Sequence, residues 1–347
     1  MTAQGMPTSR LRAYLEFVAA VTYYFVARSV ARHSAIGLAS DAWFPLIQQA
    51  LLVFLLLFGF SSFGYVFDRQ KQPVREQGFP LRQGWTREVA LGVSIGWAIA
   101  VVCVLPVAVF GGIAIVLSLQ LSAWGWLLAD AVFFALVALA EEIAFRGYGF
   151  QRFNQSVGGI GAALGFAAFY AIVQTVQPGA NHASLAVSIV FSLLLSTVYL
   201  RTRALWLSWG LNFAWKASRA LLFGLAVNGV NSHSPVIEGD PMGSFWLTGG
   251  GFGLDGSWVT FVVLLLAIPV VYRLTRELDF RHNAPVIVPG GIPVDLDAAA
   301  RLQHQAAMGP AEPSAPALIQ IAPATPPPAA PLRRDESPDV STDSQAR

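Results

Sequence analysis

Cysteine is almost absent from this 347-residue chain, Cys103 being the single one. An intrachain disulfide is therefore excluded, and nothing points to an oxidising compartment. Charge is scarce too: Asp, Glu, Lys and Arg make up 12% of the residues, against roughly 25% in soluble domains. The formal net charge is only +2, with basic residues scattered between apolar runs, which leaves no footprint for nucleic acid. No cluster of histidine or cysteine has metal-ligand spacing, so neither a zinc centre nor any other metal or cofactor is expected. No repeat of fixed period is visible, and with one charge cluster a transporter has little support.

What the chain has in quantity is apolar residue, 55% of the total. Apolar runs near the roughly 20 residues of a membrane span cover 12–30, 43–67, 88–117, 124–153, 157–175, 183–200, 204–227 and 257–275. They predict an all-α membrane protein of about eight transmembrane helices with a disordered C-terminal tail. The first run follows Arg10 and Arg12 as a signal peptide would, but Glu16 interrupts it and no small-residue cleavage site ends it, so it reads as a membrane helix. The third run is long enough to be tilted or broken near Gly111–Gly112.

Loop charges orient the bundle. With a cytoplasmic N-terminus, Arg69, Lys71, Arg75, Arg82, Arg87, Arg146, Arg152, Arg201, Arg203, Arg273, Arg276 and Arg281 all fall inside. Arg28 and Arg32 are left outside, and the loop from Asn228 to Gly256 has no Lys or Arg. Both termini are then cytoplasmic in a bacterial-type inner membrane, with membrane lipid as the first partner. The chain divides into N-terminal helices with a basic loop (1–83), a membrane core (84–280) and a tail (281–347). The tail holds 12 of the 21 prolines and reads as disordered.

Against this apolar background the stretch ALAEEIAFRGYGFQRF (138–153) places Glu141, Glu142 and Arg146 inside a span. Each such charge costs on the order of 2.5–3.5 kcal/mol at mid-helix on insertion scales. Glu142 and Arg146 are in i, i+4 register and can pair, while Glu141 points about 100° away. Asp130 lies three turns back, nearly on the face of Glu141, and Lys216 and Arg219 offer cations on the seventh run. The retained charges are therefore compatible with a purely structural network of Glu142, Arg146, Lys216 and Asp130, or with a carboxylate poised as a general base. Gly158, Gly159 and Gly161 suit close helix approach, and Trp206, Trp209 and Trp215 suit packing or interfacial anchoring.

Glu-Glu, three residues, Arg, then Gly-Tyr resembles the first motif of the CPBP family, the type II CAAX prenyl endopeptidases and bacterial abortive-infection proteins, glutamic-type intramembrane proteases. FAAFYAIVQTVQPGA resembles the second motif, YLRTRALWLSWGLNFAWKASRALLFGLAVNGV the third, and WLTGGGFGLDGSW a loop of longer bacterial members. The resemblance covers roughly 84–273 and implies a CPBP-type bundle with a mid-membrane cavity. In the family, the first glutamate and a second-motif histidine activate water, and a third-motif histidine and asparagine hold the oxyanion. By position these roles fall on Glu141, supported by Glu142 and Arg146, and on Gln174, Asn212 and Lys216; Tyr170 is the one nearby aromatic alternative to Gln174.

The histidines are thus replaced. The five that exist, His33, His182, His233, His282 and His304, lie outside the apolar runs and read as surface residues. Gln174 can bind water but cannot take its proton, whereas Asn212 keeps an oxyanion-type donor. Lys216 either supports an oxyanion or pairs with Glu141 and withholds it from water. Helix rise places Gln174, roughly 25 Å from Val157, deeper than Glu141, about 16 Å from Arg152, and Asn212, about 13 Å from Arg203. Two functional classes follow from the resemblance: an endopeptidase of the CAAX-processing type with Glu141 as base, or a non-catalytic scaffold or immunity factor. Either takes a prenylated or hydrophobic polypeptide in the same cavity.

Overall fold

The computed structural model describes residues 10–278. The reading of the Pro-rich tail lies outside these residues. Each of the eight apolar runs holds a helix. In chain order the elements are α1 (Arg10–Leu38), α2 (Phe44–Asp68), the single turn α3 (Pro73–Glu76), α4 (Trp85–Pro106), β1 (Ile113–Leu117), α5 (Leu121–Arg146), α6 (Tyr148–Val157), α7 (Gly159–Thr175), α8 (His182–Thr202), α9 (Trp206–Ala217), β2 (Ile237–Pro241), the single turn α10 (Phe245–Thr248) and α11 (Trp258–Leu274). Four stretches are long and apolar enough to cross a membrane: Phe44–Asp68, Trp85–Gly111, Leu121–Val157 and His182–Thr202. The others fall short for visible reasons. Arg10, Arg12, Glu16, Arg28 and Arg32 make α1 too polar, and α7 and α11, at 17 residues each, rise only about 26 Å.

Two departures have their cause in backbone chemistry. Pro106 lacks the N–H that would continue the α4 ladder, and the chain passes into a π-helical turn, Val107–Gly111, before Gly112 at φ 94° ends it. This is the break expected near Gly111–Gly112. The strand beyond the break was not legible in the sequence: β1 pairs antiparallel with β2, Ile113 opposite Pro241 and Leu117 opposite Ile237. The fourth apolar run is likewise not one helix. Gly147 turns the backbone between α5 and the amphipathic α6.

Close approach occurs between α4 and α9. A Cβ at Gly92, Gly96 or Gly210 would collide with the backbone of Leu207, Leu211 or Val89, so side chains there would push the two helices apart. The expectation for Gly158, Gly159 and Gly161 is not met. Gly158 faces open space, and the two others meet only ordinary or local contacts. Helix α8, held at its start by a reciprocal Asn181–Ser184 capping box, is buried along most of its length and backs the core.

Polar contacts tie the two ends of the bundle. At one end Arg152 reaches Asp68 (2.9 Å) and Glu16 (3.7 Å), and Arg82 forks onto Glu88 (2.8 and 2.9 Å from Nη2) while also reaching the Thr202 carbonyl (2.8 Å). At the other end Asp130 accepts from the Ser234 N–H (2.8 Å) and pairs with His233 (2.9 Å). Asp130 therefore belongs to the loop before β2, not to the Glu142 network expected of it; the eleven residues from Glu141 carry it out of reach along the helix.

Candidate functional site

Three helices converge on one point, and each brings polar side chains one helical turn apart. Helix α5 supplies Glu141, Glu142 and Arg146, α7 supplies Tyr170 and Gln174, and α9 supplies Asn212 and Lys216. Residues i and i+4 share a face, so a single inward rotation of each helix presents both members of a pair. Glu142 and Arg146 are wholly buried and lie 3.3 Å apart. The other arm of the Arg146 guanidinium donates to the Ser192 carbonyl (3.2 Å) and hydroxyl (3.0 Å) on α8. Its carbon stands 5.7 Å from the Tyr170 ring centre.

Glu141 is 15% exposed and faces a cavity. Its Oε1 lies 3.3 Å from Lys216 Nζ and 3.4 Å from Gln174 Nε2. Its Oε2 accepts from Asn212 Nδ2 at 3.0 Å and from the Tyr170 hydroxyl at 3.3 Å. Asn212 Nδ2 also donates to Glu142 Oε1 at 3.0 Å. One amide thus spans two adjacent carboxylates, giving each a hydrogen where their mutual repulsion is greatest. The two carboxylates, Arg146 and Lys216 sum to zero formal charge, which makes their joint burial tolerable.

The greater depth expected for Gln174 is not observed, since it reaches Glu141 directly. The depth comparison failed because Arg152, the reference point for Glu141, lies on α6 beyond the Gly147 turn. Arg219 does not join the cluster. It pairs with Asp255 (2.8 Å) and stacks on Trp215, its carbon 3.8 Å from the ring centre. Asp255, which also accepts from the Asn228 N–H (3.1 Å), fastens the glycine-rich loop after β2 to the end of α9. Neither Asp255 nor Ser192 stands out in the sequence. An acid inside GLDG carries no periodic signal, and a serine on an apolar helix is commonplace.

The cavity has a volume of about 430 Å³. Phe133, Phe134, Val137 and Val173 give it apolar walls, and Glu141, Gln174 and Lys216 form its polar end. Trp206 and Trp209 lie outside it, their indole N–H groups donating to Pro80 and Ala135 carbonyls. None of His33, His182 and His233 is buried; His282 and His304 lie outside the described residues. Among the described residues no three His, Cys, Asp or Glu side chains are grouped to hold a metal ion.

The span from 123 to 218, which contains every one of these cluster residues, matches a family model described as Rce1-like, type II CAAX prenyl endopeptidase Rce1-like. This segment is Rce1-like. The resemblance read from the motifs is thereby shown over 123–218, a segment that is similar to the type II CAAX prenyl endopeptidases. The Rce1-like segment begins two residues into α5 and ends one residue past α9, so it comprises the three helices that build the cluster together with α6 and α8. Neither the curated proteins nor the solved structures yield a match.

Proposed function

We propose that this chain is an integral protein of a bacterial-type inner membrane that receives a hydrophobic or prenylated polypeptide in the cavity above Glu141. Polypeptide binding ranks ahead of proteolysis. The observation that carries this ranking is the bonding of Glu141. A carboxylate has about four lone-pair directions, and Lys216, Gln174, Asn212 and Tyr170 occupy four. A water-activating base needs one of them for the water, and also a partner able to accept or relay the proton, which Gln174 cannot do. The bonding therefore favours a scaffold or immunity factor.

Proteolysis by the CAAX-type route is the second reading, and one feature favours it. Three of the four Glu141 contacts are 3.3–3.4 Å, long for hydrogen bonds, and the side chain retains access to the cavity. In that reading Glu141 is the base, Gln174 holds the water, Asn212 and Lys216 face the oxyanion, and Glu142 with Arg146 fixes the frame. Cleavage of a fluorogenic prenylated peptide by the purified protein separates the two. Binding without turnover is expected; turnover that vanishes in Glu141→Ala would establish the protease.

The bundle crosses the membrane eight times with both termini cytoplasmic. The supporting pattern is that Arg12, Arg82 and Arg152 gather at one end of the helices, while the other end holds few basic residues. In a Cys103→Ser background, a membrane-impermeant maleimide should label Glu238→Cys in intact cells and Lys71→Cys only after permeabilisation. The reverse pattern would invert the topology.

A further inference from the structure

A second hollow lies away from the Glu141 cavity, in the segment 69–84 that joins two membrane-crossing helices. Gln72, Pro73, Val74, Arg75, Phe79 and Leu81 line it, and its volume is also about 430 Å³. Three residues separate it from Asp68, which ends the span before, and three from Trp85, which begins the span after. That connectivity holds the hollow at the depth of lipid headgroups. Phe79 and Trp85 both pack on Trp206, with ring centres 5.3 and 4.8 Å away, an aromatic group of the kind that marks this depth.

The backbone under the hollow is fixed from several sides. The Glu76 carbonyl accepts from Gln151 Nε2 of α6 (2.9 Å), that of Gly78 from the Leu205 N–H (2.8 Å), and that of Pro80 from the Trp206 indole of α9 (2.9 Å). Gln77 is buried and donates to the Ser61 hydroxyl of α2 (3.0 Å). On this rigid frame Val74 and Leu81 stand 47% and 72% exposed. Leaving them in water is unfavourable, and a hydrocarbon chain laid over them removes that exposure. The three carbonyls are already satisfied, so they offer an extended peptide no ladder to join.

Charge completes the match. Arg75 lines the hollow and donates only to the neutral Gln72 side chain (3.2 Å), and Lys71 precedes the first lining residue. Among the described residues neither these two nor Arg69 forms an ion pair. Arg82 is held by Glu88 (2.8 Å). With Glu76 counted against Arg69, Lys71 and Arg75, the segment keeps a surplus of two positive charges beside an apolar floor.

We infer that this hollow binds an anionic phospholipid, with an acyl chain over Val74, Phe79 and Leu81 and the phosphate at Lys71 and Arg75. The guanidinium can take two phosphate oxygens side by side, and the ammonium adds a point charge. The site is separate from the Glu141 cluster, and the inference holds whichever end of the bundle faces the cytoplasm.

The test is native mass spectrometry of the full chain in detergent micelles, titrated with phosphatidylglycerol and with phosphatidylcholine of the same acyl chains. Phosphatidylglycerol should bind about tenfold tighter. Lys71→Gln/Arg75→Gln should abolish the preference. Arg87→Gln/Arg273→Gln, which removes two exposed arginines from outside the hollow, should keep it. Leu81→Gln should weaken both lipids, with wild-type melting temperatures throughout, and excess glycerol 3-phosphate should displace neither. A wild type without preference overturns the inference. Equal loss in the two double variants reduces the effect to diffuse charge, and displacement by glycerol 3-phosphate makes the site a reader of phosphate alone; each overturns it too. Benzoylphenylalanine in place of Leu81 should crosslink to lipid in phosphatidylglycerol nanodiscs. A crosslink to the chain itself or to a second copy would assign the hollow to a polypeptide and defeat the lipid assignment.

Discussion

Asn212 is the residue on which the cluster turns. Its amide nitrogen satisfies one oxygen of each glutamate, so Asn212→Leu, similar in volume, would leave two buried acceptors short of a donor. The expected loss is about 1–3 kcal/mol, read as a lowered midpoint of thermal unfolding in detergent. A midpoint unchanged from wild type would mean that the two carboxylates do not both remain charged in the folded protein. Lys216 and Glu141 behave as a coupled pair. Lys216→Met strands Glu141 beside its like-charged neighbour and should lower expression, whereas Glu141→Gln leaves a lysine with cavity access and should be tolerated. Combining the two should recover part of the loss, with a coupling of about 0.5–3 kcal/mol in a double-mutant cycle. Strict additivity would show that Lys216 serves something other than Glu141.

Among the elements, α4 and α9 have the tightest geometric demand. Gly210 meets the α4 backbone directly, and Gly92 and Gly96 meet that of α9. Gly210→Val should prevent assembly of the bundle, because the obstruction is main chain and cannot rotate aside. Gly125→Ala on α5, where no atom lies near the added carbon, should leave expression and melting unchanged. If Gly210→Val were as harmless as Gly125→Ala in size-exclusion profiles, the two helices would have to be free to separate. The consequence for the site is direct, since α9 sets Asn212 and Lys216 against α5, and a shift of about one ångström would undo the contacts to Glu141.

At the scale of the whole molecule, long loops are fastened to the bundle by single acids. Asp130 on α5 takes His233 and the Ser234 N–H, and Asp255 takes Arg219 and the Asn228 N–H. Together they pin both ends of the stretch that precedes and follows β2. Asp130→Ala should free residues 231–236 without dissolving the helices, giving faster amide exchange there and more rapid proteolytic nicking between α9 and β2. Unaltered exchange would place the restraint instead in the β1–β2 pairing.

The division between what was legible and what was not tracks the range of the interactions. The helical bundle, the break near Gly111, the Glu142–Arg146 pair and the one-turn spacing of Asn212 and Lys216 are local, written in hydropathy, glycine and i, i+4 register. The motif order that gives the Rce1-like resemblance is equally a property of the linear chain. The convergence of α5, α7 and α9 is not, because which face of each helix turns inward depends on packing against partners tens of residues away. The Gly147 turn decided that Gln174 stands level with Glu141. The contact of Asp130 with His233 at a sequence separation of 103, and the pairing of β1 with β2, left no periodic trace. Sequence by itself determined which charges would be held in an apolar bundle. Only the tertiary structure decided which carboxylate each cation and amide would meet, since in a low-dielectric interior a difference of a few ångströms separates a matched charge from a stranded one.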